Sequence, residues 1–319
     1  MKKITILLLF FNATIFAQDS SAIVTKKDTS WKVTGFFGLN ASQTAMHNWQ
    51  GGGQDNVAIN GILNIEANYK KGKLQWTNKL DAQYGIIKPG EAKLFRKNID
   101  QLFALSKFNV NAFAKHWFYA AQADFRSQLA PGYKYVGDSI FGKATSDFTS
   151  PAYIQIAIGI DYKPAPYFSA FIAPIAGKLT YVARQYLADD GAYGVEKAVY
   201  DNNNNIITPG KNLRSELGGR VIIKFKKDVF KNVNLDSYLD LFSNYANNPQ
   251  NIDVVFNNLL TFKINKFFTA NIISQVIYDD DIIIKRDWDN DGKYDKPEDI
   301  DGPRIQALTT FAIGFGYKF

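Results

Sequence analysis

The sharpest chemical motif in this sequence is an acidic stretch near its C-terminal end. Asp287, Asp289 and Asp291 recur at every second position, Gly292 follows, and Glu298 closes a segment of calcium-loop length. In such a loop, hard carboxylate oxygens converge on one cation and the glycine permits a sharp turn. The predicted ligands of a structural Ca²⁺ are Asp287, Asp289, Asp291, Lys293 through its backbone carbonyl, Asp295 and Glu298.

The context of this motif leaves an alternative open. Strands are predicted on both sides of it, where a calcium loop usually lies between helices, and Pro297 interrupts it. An acidic, solvated surface loop with an Asp-Gly turn would have the same composition. The acidic run Asp279–Asp281 upstream adds negative charge without a defined ligand geometry.

Catalytic groups are sparse. The chain has two histidines, His47 and His116, which fall at opposite ends of the strands predicted below. Only His47 lies at the end where a barrel hydrolase would need its base, with Ser42 as the nearest serine nucleophile by sequence, and no third orienting group can be named. The sequence has no cysteine, so neither a disulfide framework nor a thiolate metal site exists. We predict no catalytic activity, and a lipid-modifying enzyme is the least favoured of the functions considered below.

The elements that must position these residues are strands with a two-residue period. In the final segment, 304–319, Phe311, Ile313, Phe315, Tyr317 and Phe319 share one face, while small or polar residues share the other. Side chains alternate between the two faces of a strand, so this pattern predicts one greasy and one polar face. The segment is long enough to cross a tilted bilayer.

The same alternation recurs along the chain from Trp31. We predict twelve strands, at 31–45, 57–70, 73–87, 98–108, 115–129, 152–163, 167–182, 213–226, 233–245, 252–264, 267–278 and 304–319. Pro174 cannot donate to a ladder and predicts a bulge or local break in the seventh.

Short and long connections alternate strictly between these strands, which is typical of outer-membrane barrels. The predicted fold is therefore all-β: a single antiparallel transmembrane β-barrel of about twelve strands, with short periplasmic turns and long extracellular loops. A large soluble β-sandwich is the alternative, although it would not need strands this long or loops so one-sided.

The N-terminal end predicts export. Lys2 and Lys3 precede a short apolar run, and Ala17 provides a small residue at the cleavage point, which is the layout of a signal peptide over 1–17. Residues 18–30 are predicted to form a short periplasmic lead, and 31–319 the barrel, in the cell outer membrane. Lysine and arginine are scattered rather than clustered, which argues against nucleic-acid binding despite a net charge of +7.

Several segments resemble a known family. They are Asn48–Gly53, Trp76–Asn78 with Tyr84-Gly85, Arg96–Asp100 and Asp124–Gln128. In this order they resemble an uncharacterised family of outer-membrane barrels from Bacteroidota, a domain of unknown function. The resemblance covers the chain from about residue 31 to its end and is densest before residue 135. It implies the fold and the location, but no catalytic residues, because the family has no settled activity.

The predicted inward face carries nine basic and nine acidic residues. They are Lys32, Glu66, Lys79, Asp81, Asp100, Asp124, Arg126, Asp161, Arg214, Glu216, Arg220, Lys224, Asp236, Asp240, Asp253, Lys263, Arg304 and Lys318. A charge in a narrow lumen is costly unless it is paired, so we expect ion-pair networks across the interior. The balance of charge predicts no preference for anions or cations.

Two functions fit such an interior, because twelve strands fall between a side-chain-filled barrel of eight and an open porin of sixteen. The favoured one is a filled structural or accessory subunit of a surface complex, with protein partners at its long loops. The other is a narrow channel for small polar solutes. Partners expected in either case are outer-membrane lipid and lipopolysaccharide, which Arg184, Lys197 and Lys211 could contact.

Overall fold

The computed structural model describes residues 30–44, 56–90, 92–284 and 302–319. The predicted signal peptide (1–17), the lead up to residue 29, the loop that holds His47, and the calcium motif (287–298) lie outside these residues. Among the described residues, no helix is long and apolar enough to cross a membrane.

Eighteen strands are present in the described residues. In chain order they are β1 (Trp31–Thr44), β2 (Asn56–Lys71), β3 (Leu74–Pro89), β4 (Arg96–Asn111), β5 (Trp117–Ser127), β6 (Gly132–Val136), β7 (Ser139–Ser146), β8 (Ala152–Ala165), β9 (Phe168–Tyr181), β10 (Val199–Tyr200), β11 (Ile206–Thr208), β12 (Leu213–Phe230), β13 (Val233–Asn244), β14 (Ile252–Lys263), β15 (Phe268–Tyr278), β16 (Ile283–Ile284), β17 (Gly302–Pro303) and β18 (Gln306–Lys318). A short helix, α1 (Gln185–Asp189), and a 3₁₀ turn at Ala192–Gly194 lie between β9 and β10.

Twelve of these strands form one closed antiparallel barrel, in the order β1-β18-β15-β14-β13-β12-β9-β8-β5-β4-β3-β2. The pairs β6–β7, β10–β11 and β16–β17 are small separate sheets inside the long connections. The all-β fold, the strand number and the alternation of short with long connections are confirmed, and the soluble sandwich is excluded. The predicted boundaries differ from the observed ones by at most four residues, at the end of β12.

The wall of the barrel is apolar outside and polar inside. On β8, Ile154, Ile156 and Ile158 are exposed, whereas the intervening Gln155 is buried. This reverses the pattern of a soluble protein and is the pattern of a strand between lipid and a filled lumen.

Aromatic side chains surround the barrel at the end with the short turns. Trp31 contacts both Tyr69 and Trp76, with ring centroids 5.1 and 5.5 Å apart, and Trp117 lies 4.6 Å from Tyr162. Further contacts join Tyr167 to Phe225 and Phe267 to Phe315. Such a belt marks the level at which a membrane-spanning wall meets the lipid headgroups.

The barrel closes where the last strand meets the first, as predicted. The seam between β1 and β18 is short: it has five residue pairs, from Phe36 opposite Lys318 to Asn40 opposite Gly314. By contrast, β1 pairs with β2 along its whole length. Below the paired stretch, Phe319 and Gly35 exchange two backbone hydrogen bonds of 2.8 and 3.0 Å.

The predicted irregularity at Pro174 is a β-bulge. The pairing of β9 with β12 shifts between Gly218 and Arg220, so that Pro174 and Ile175 both lie opposite a single residue. The bulge brings β9 close to β8: a Cβ at Gly159 would lie 2.0 Å from the carbonyl oxygen of Ile172. A glycine is therefore required at this position, because a side chain would collide with backbone.

The fourth strand is oriented opposite to the prediction. Its odd-numbered residues, including Phe103 and Lys107, pair with the inward residues of β3. Asp100 pairs with the exposed Tyr84 on the outer face, so its predicted place in the lumen is wrong. The reason is that the interior of this barrel accepts apolar side chains on β4, which makes the two faces of the strand alike in polarity.

Candidate functional site

The centre of the lumen is occupied by a buried arginine. Arg220, on β12, is fully enclosed and reaches over β9 and β8 to Asp124 of β5, with Nη1 at 2.6 Å from Oδ2. Its Nε and Nη2 also bond to the two carboxylate oxygens of Asp240, at 2.8 and 2.7 Å. Bidentate pairs of this kind fix geometry as well as charge.

A second arginine completes the cluster. Arg126 of β5 places Nη2 at 2.5 Å from Oδ2 of Asp240, and the hydroxyl of Tyr238 donates to the same oxygen at 3.1 Å. Two positive and two negative side chains therefore balance. We call Asp124, Arg126, Arg220, Tyr238 and Asp240 the charged half of the waist.

Direct contacts also join opposite walls at this level. The side-chain amide of Gln101 on β4 donates to Gln275 on β15 at 2.7 Å, although these strands are five positions apart in the ring of twelve. The rings of Phe103 and Tyr238, which are equally far apart in the ring, lie 6.5 Å from each other. Side chains from facing walls thus meet in the middle of the barrel.

The other side of the Gln101–Gln275 bridge is filled without charge. Its inward residues are Asn40, Asn60, Ile62, Ile273, Thr310 and Ala312, which we call the neutral half of the waist. The gap left among them is too small to hold a water molecule. The charged half packs beside it at the same level of the lumen.

Between the waist and the long connections lies the upper lumen, which is centred on Lys178. Its Nζ lies 2.6 Å from Asp253 and 2.9 Å from Asp279, with Glu216 at 3.8 Å. Arg214 binds Glu216 at 3.0 Å and also forms an ion pair with Asp281. The start of the last long connection is therefore tied to the inside of the barrel.

Between the waist and the short turns lies the lower lumen, where lysines predominate. Asp161, which is fully buried, binds Lys107 at 2.8 Å and Lys163 at 3.3 Å, and accepts a hydrogen bond from Asn109 at 2.9 Å. Two cations thus share one carboxylate.

Most of the predicted lumen charges face the lumen as expected, but the predicted balance is wrong. The structure removes Asp100 from the inward face of the strands and adds one carboxylate, Asp228, and five lysines, which are Lys70, Lys107, Lys163, Lys178 and Lys226. The sequence pattern did not predict that Lys178 faces the lumen, because the bulge at Pro174 reverses the alternation of β9 from that point on. The presence of the proline was the signal that could have revealed it.

Asp100 instead anchors a connection on the outer surface. Its carboxylate accepts backbone hydrogen bonds from Leu129 and Ala130, at 2.7 and 3.0 Å, and binds Lys97 at 2.8 Å. Lys97 in turn donates to the carbonyl of Ala130. The connection that carries β6 and β7 therefore begins against the outside of the wall.

Two long connections are docked on each other. The guanidinium of Arg184 binds Asp147, with Nε 2.8 Å from Oδ2, and the hydroxyls of Tyr186 and Tyr193 donate to carbonyls of the β6–β7 hairpin. Burial raises the pKa of Asp147, but the hydrogen bond and charge of Arg184, together with the hydrogen bond from the Phe148 amide, outweigh burial and lower the pKa overall. Burial raises the pKa of Tyr193 to about 12.

The predicted metal ligands and the candidate base His47 do not fall within the described part of the chain. The ligand set Asp287, Asp289, Asp291, Lys293, Asp295 and Glu298 lies outside it, as does His47. In the residues that the structure does describe, there is no group of three or more His, Cys, Asp or Glu suited to a metal ion. His116 lies in a short turn with φ 71°, where its carbonyl accepts a hydrogen bond from the amide of Lys163.

The closed wall, apolar outside and polar inside, defines a transmembrane β-barrel. A protein-family profile described as "Protein of unknown function (DUF3078)" matches residues 41–133. All the segments that carried the resemblance noted from the sequence lie within that range.

Two solved structures are similar to the chain. The COG4313 outer membrane channel from Pseudomonas putida F1 has 8% identity and a TM-score of 0.39, with 90% of this chain and 94% of that one covered. The translocator domain of autotransporter NalP from Neisseria meningitidis has 8% identity and a TM-score of 0.35, with 93% and 91% covered. No curated protein matches the sequence.

Proposed function

We propose that this chain is an outer-membrane barrel that does not conduct and that serves as a structural or accessory subunit of a surface complex. We infer that the waist is sealed, and this carries the proposal: side chains pack on both sides of the Gln101–Gln275 bridge, and the gap in the neutral half is too small for a water molecule. We place the short turns in the periplasm and the long connections outside the cell, the orientation usual for such barrels.

The long connections supply the surface that an accessory role needs. The β6–β7 hairpin exposes Val136, Ile140 and Phe141, and the β10–β11 pair exposes Ile206 and Ile207. Apolar side chains on ordered, protruding hairpins are typical of protein contact sites. The proposal includes no reaction: the waist carboxylates are held in ion pairs, an arrangement that suits rigidity rather than proton transfer.

Conductance in planar bilayers tests the sealed lumen. We expect no steady current steps from the reconstituted protein, with heat-modifiable migration on gels showing that the barrel is folded. Steady single-channel steps from the unaltered protein would contradict the proposal. Isolation from native membranes tests the accessory role, which requires a protein that co-purifies in a fixed ratio.

A narrow channel is the second candidate, and one observation favours it. The bond between Gln101 and Gln275 joins two neutral side chains, whose separation costs far less than breaking a buried ion pair. A Gln101→Ser/Gln275→Ser variant removes both side-chain amides that form the bridge. Current steps in this variant, with silence in the parent protein, would show that the bridge is the barrier.

The calcium site at 287–298 is also part of the proposal. It is supported by the ligand spacing, and the residues on either side are brought together by the β16–β17 pairing of Ile283 with Pro303. Calorimetric titration with Ca²⁺ should give a binding signal that the Asp287→Ala variant lacks. Identical traces for the two proteins would dismiss the site.

A further inference from the structure

The lower lumen holds more lysines than carboxylates. Its inward-facing lysines are Lys32, Lys70, Lys79, Lys107, Lys163, Lys224, Lys226 and Lys263, and its carboxylates are Glu66, Asp81, Asp161, Asp228 and Asp236. A confined space lined mainly by one sign of charge focuses the field and attracts counter-ions. Water reaches it, since the side chains of Lys79 and Lys163 are 30% and 27% exposed.

All five carboxylates of the lower lumen are already engaged, and Asp228 accepts a hydrogen bond from the side-chain amide of Asn234 at 2.8 Å. Asp81 binds Lys79 at 2.7 Å, and Asp236 binds Lys226 at 2.8 Å. Glu66 accepts a hydrogen bond from the amide of Asn68 at 2.5 Å. Asp161 already holds two lysines, so the remaining cations have no carboxylate of their own.

Lys224 is the central cation of this group. Among the residues that the structure describes, no carboxylate lies within ion-pair distance of it, and its Nζ lies 5.5 Å from the ring centre of Tyr238. Lys79 and Lys107 project from the facing wall, where Phe103, whose ring centre lies 6.5 Å from that of Tyr238, pairs with Asp81, the ion-pair partner of Lys79. Both lysines repel Lys224, while Asp161, Glu66 and Asp124 attract it from beyond ion-pair distance. Three ammonium groups from opposite walls therefore converge just below the waist.

We propose that the lower lumen is a binding site for a small multivalent oxyanion of the phosphate type. Lys224 supplies the unpaired charge, and Lys79 and Lys107 complete the cradle. Lysine is well suited to this role because it acts as a point charge with three rotatable donors. We further propose that the ion enters this site only from the periplasmic side, and this part rests on the sealed waist of the proposed function.

Calorimetric titration of the folded full-length barrel with pyrophosphate tests the site. We expect one ion to bind, with an affinity that falls as salt is added. Lys224→Gln should weaken binding at least tenfold, whereas Lys224→Arg should retain it. Lys134→Gln removes the same charge from an exposed position on the β6–β7 hairpin and should bind as the parent does. No heat with the parent protein, or equal affinity in Lys224→Gln and Lys134→Gln, would overturn the proposal.

A cysteine variant covers the case in which Lys224→Gln fails to fold, and it separates the two proposals. Because the chain has no cysteine, Ser169→Cys places a single thiol in the lumen, directly opposite Lys224 on β9, and leaves all three lysines of the site in place. Pyrophosphate should slow its modification by an anionic thiol reagent, and an unchanged rate would refute the anion site. Modification by reagent added outside intact cells would refute the sealed waist alone, while protection by pyrophosphate would still support anion binding.

Discussion

The two halves of the waist close the same lumen by different means. In the charged half, Arg220 is held by Asp124 and Asp240, so each buried charge depends on the others. In the neutral half, small and apolar side chains such as Ile62 and Ala312 fill the space by van der Waals packing alone. The lumen of a barrel of this size can therefore be filled either by ion pairs that span several strands or by close packing near the wall.

Replacing Arg220 should have the largest effect. Arg220→Met leaves Asp240 with one cation and Asp124 without its arginine, both buried. Breaking a buried pair in this way costs about 3–5 kcal/mol. Urea unfolding in lipid bilayers, with Lys134→Met as the exposed control, measures the loss. A change below about 1 kcal/mol would show that the charged half is not held by its ion pairs.

Overfilling the neutral half should have a smaller effect. Ala312 is buried in the lumen, whereas Ala307 lies on the outer face of the same strand. Ala312→Leu adds volume where no water fits and should destabilise by about 1–3 kcal/mol. Ala307→Leu faces lipid and is the matched control. Equal unfolding free energies for the two variants would mean that the neutral half has unfilled space.

The bridge between the halves should contribute less still. Gln101 and Gln275 share one neutral hydrogen bond, of the kind worth about 1 kcal/mol. A double-mutant cycle with Gln101→Ala and Gln275→Ala should give a coupling energy of that size. Strictly additive losses would indicate that the two amides do not interact in the membrane.

The smallest effect is expected outside the lumen, in the Asp147–Arg184 pair, where the side chain of Arg184 is 57% exposed to solvent. The pKa of Asp147 is lower in the folded protein, so the pair stabilises the docked connections above the ordinary carboxyl pKa of about 3.9. That stabilisation is lost as the pH falls through the lowered value. Backbone hydrogen exchange at residues 144–150 should accelerate below about pH 4 in the parent protein. Arg184→Met lacks the pair at every pH, so its exchange should not accelerate in this way.

The sequence predicted the wall much better than the interior. Alternation identified all twelve barrel strands because lipid demands a continuous apolar face, and the outer residues of β18 show it clearly. It misplaced Asp100 because the inward face of β4 is itself largely apolar, with Phe103 and Leu105. It missed Lys178 because one extra residue at a bulge moves every later side chain to the other face.

The partners inside the lumen could not be predicted for a different reason. Arg220 and Asp124 are 96 residues apart and belong to strands that are not neighbours. A period-two pattern fixes which way a side chain points, but not its height on the wall or how far it reaches. The convergence of Lys224 with Lys79 and Lys107 depends on the height of each side chain on the wall and on how far it reaches into the lumen.

The short seam between β1 and β18 bears on how this protein is made. Its five rungs join residues near the two ends of the chain, so the ring stays an open sheet until the final strand has been synthesised. Removing residues 315–319 would delete four of those rungs together with the Phe319–Gly35 bonds. Residues 315–319 therefore decide whether the ring closes.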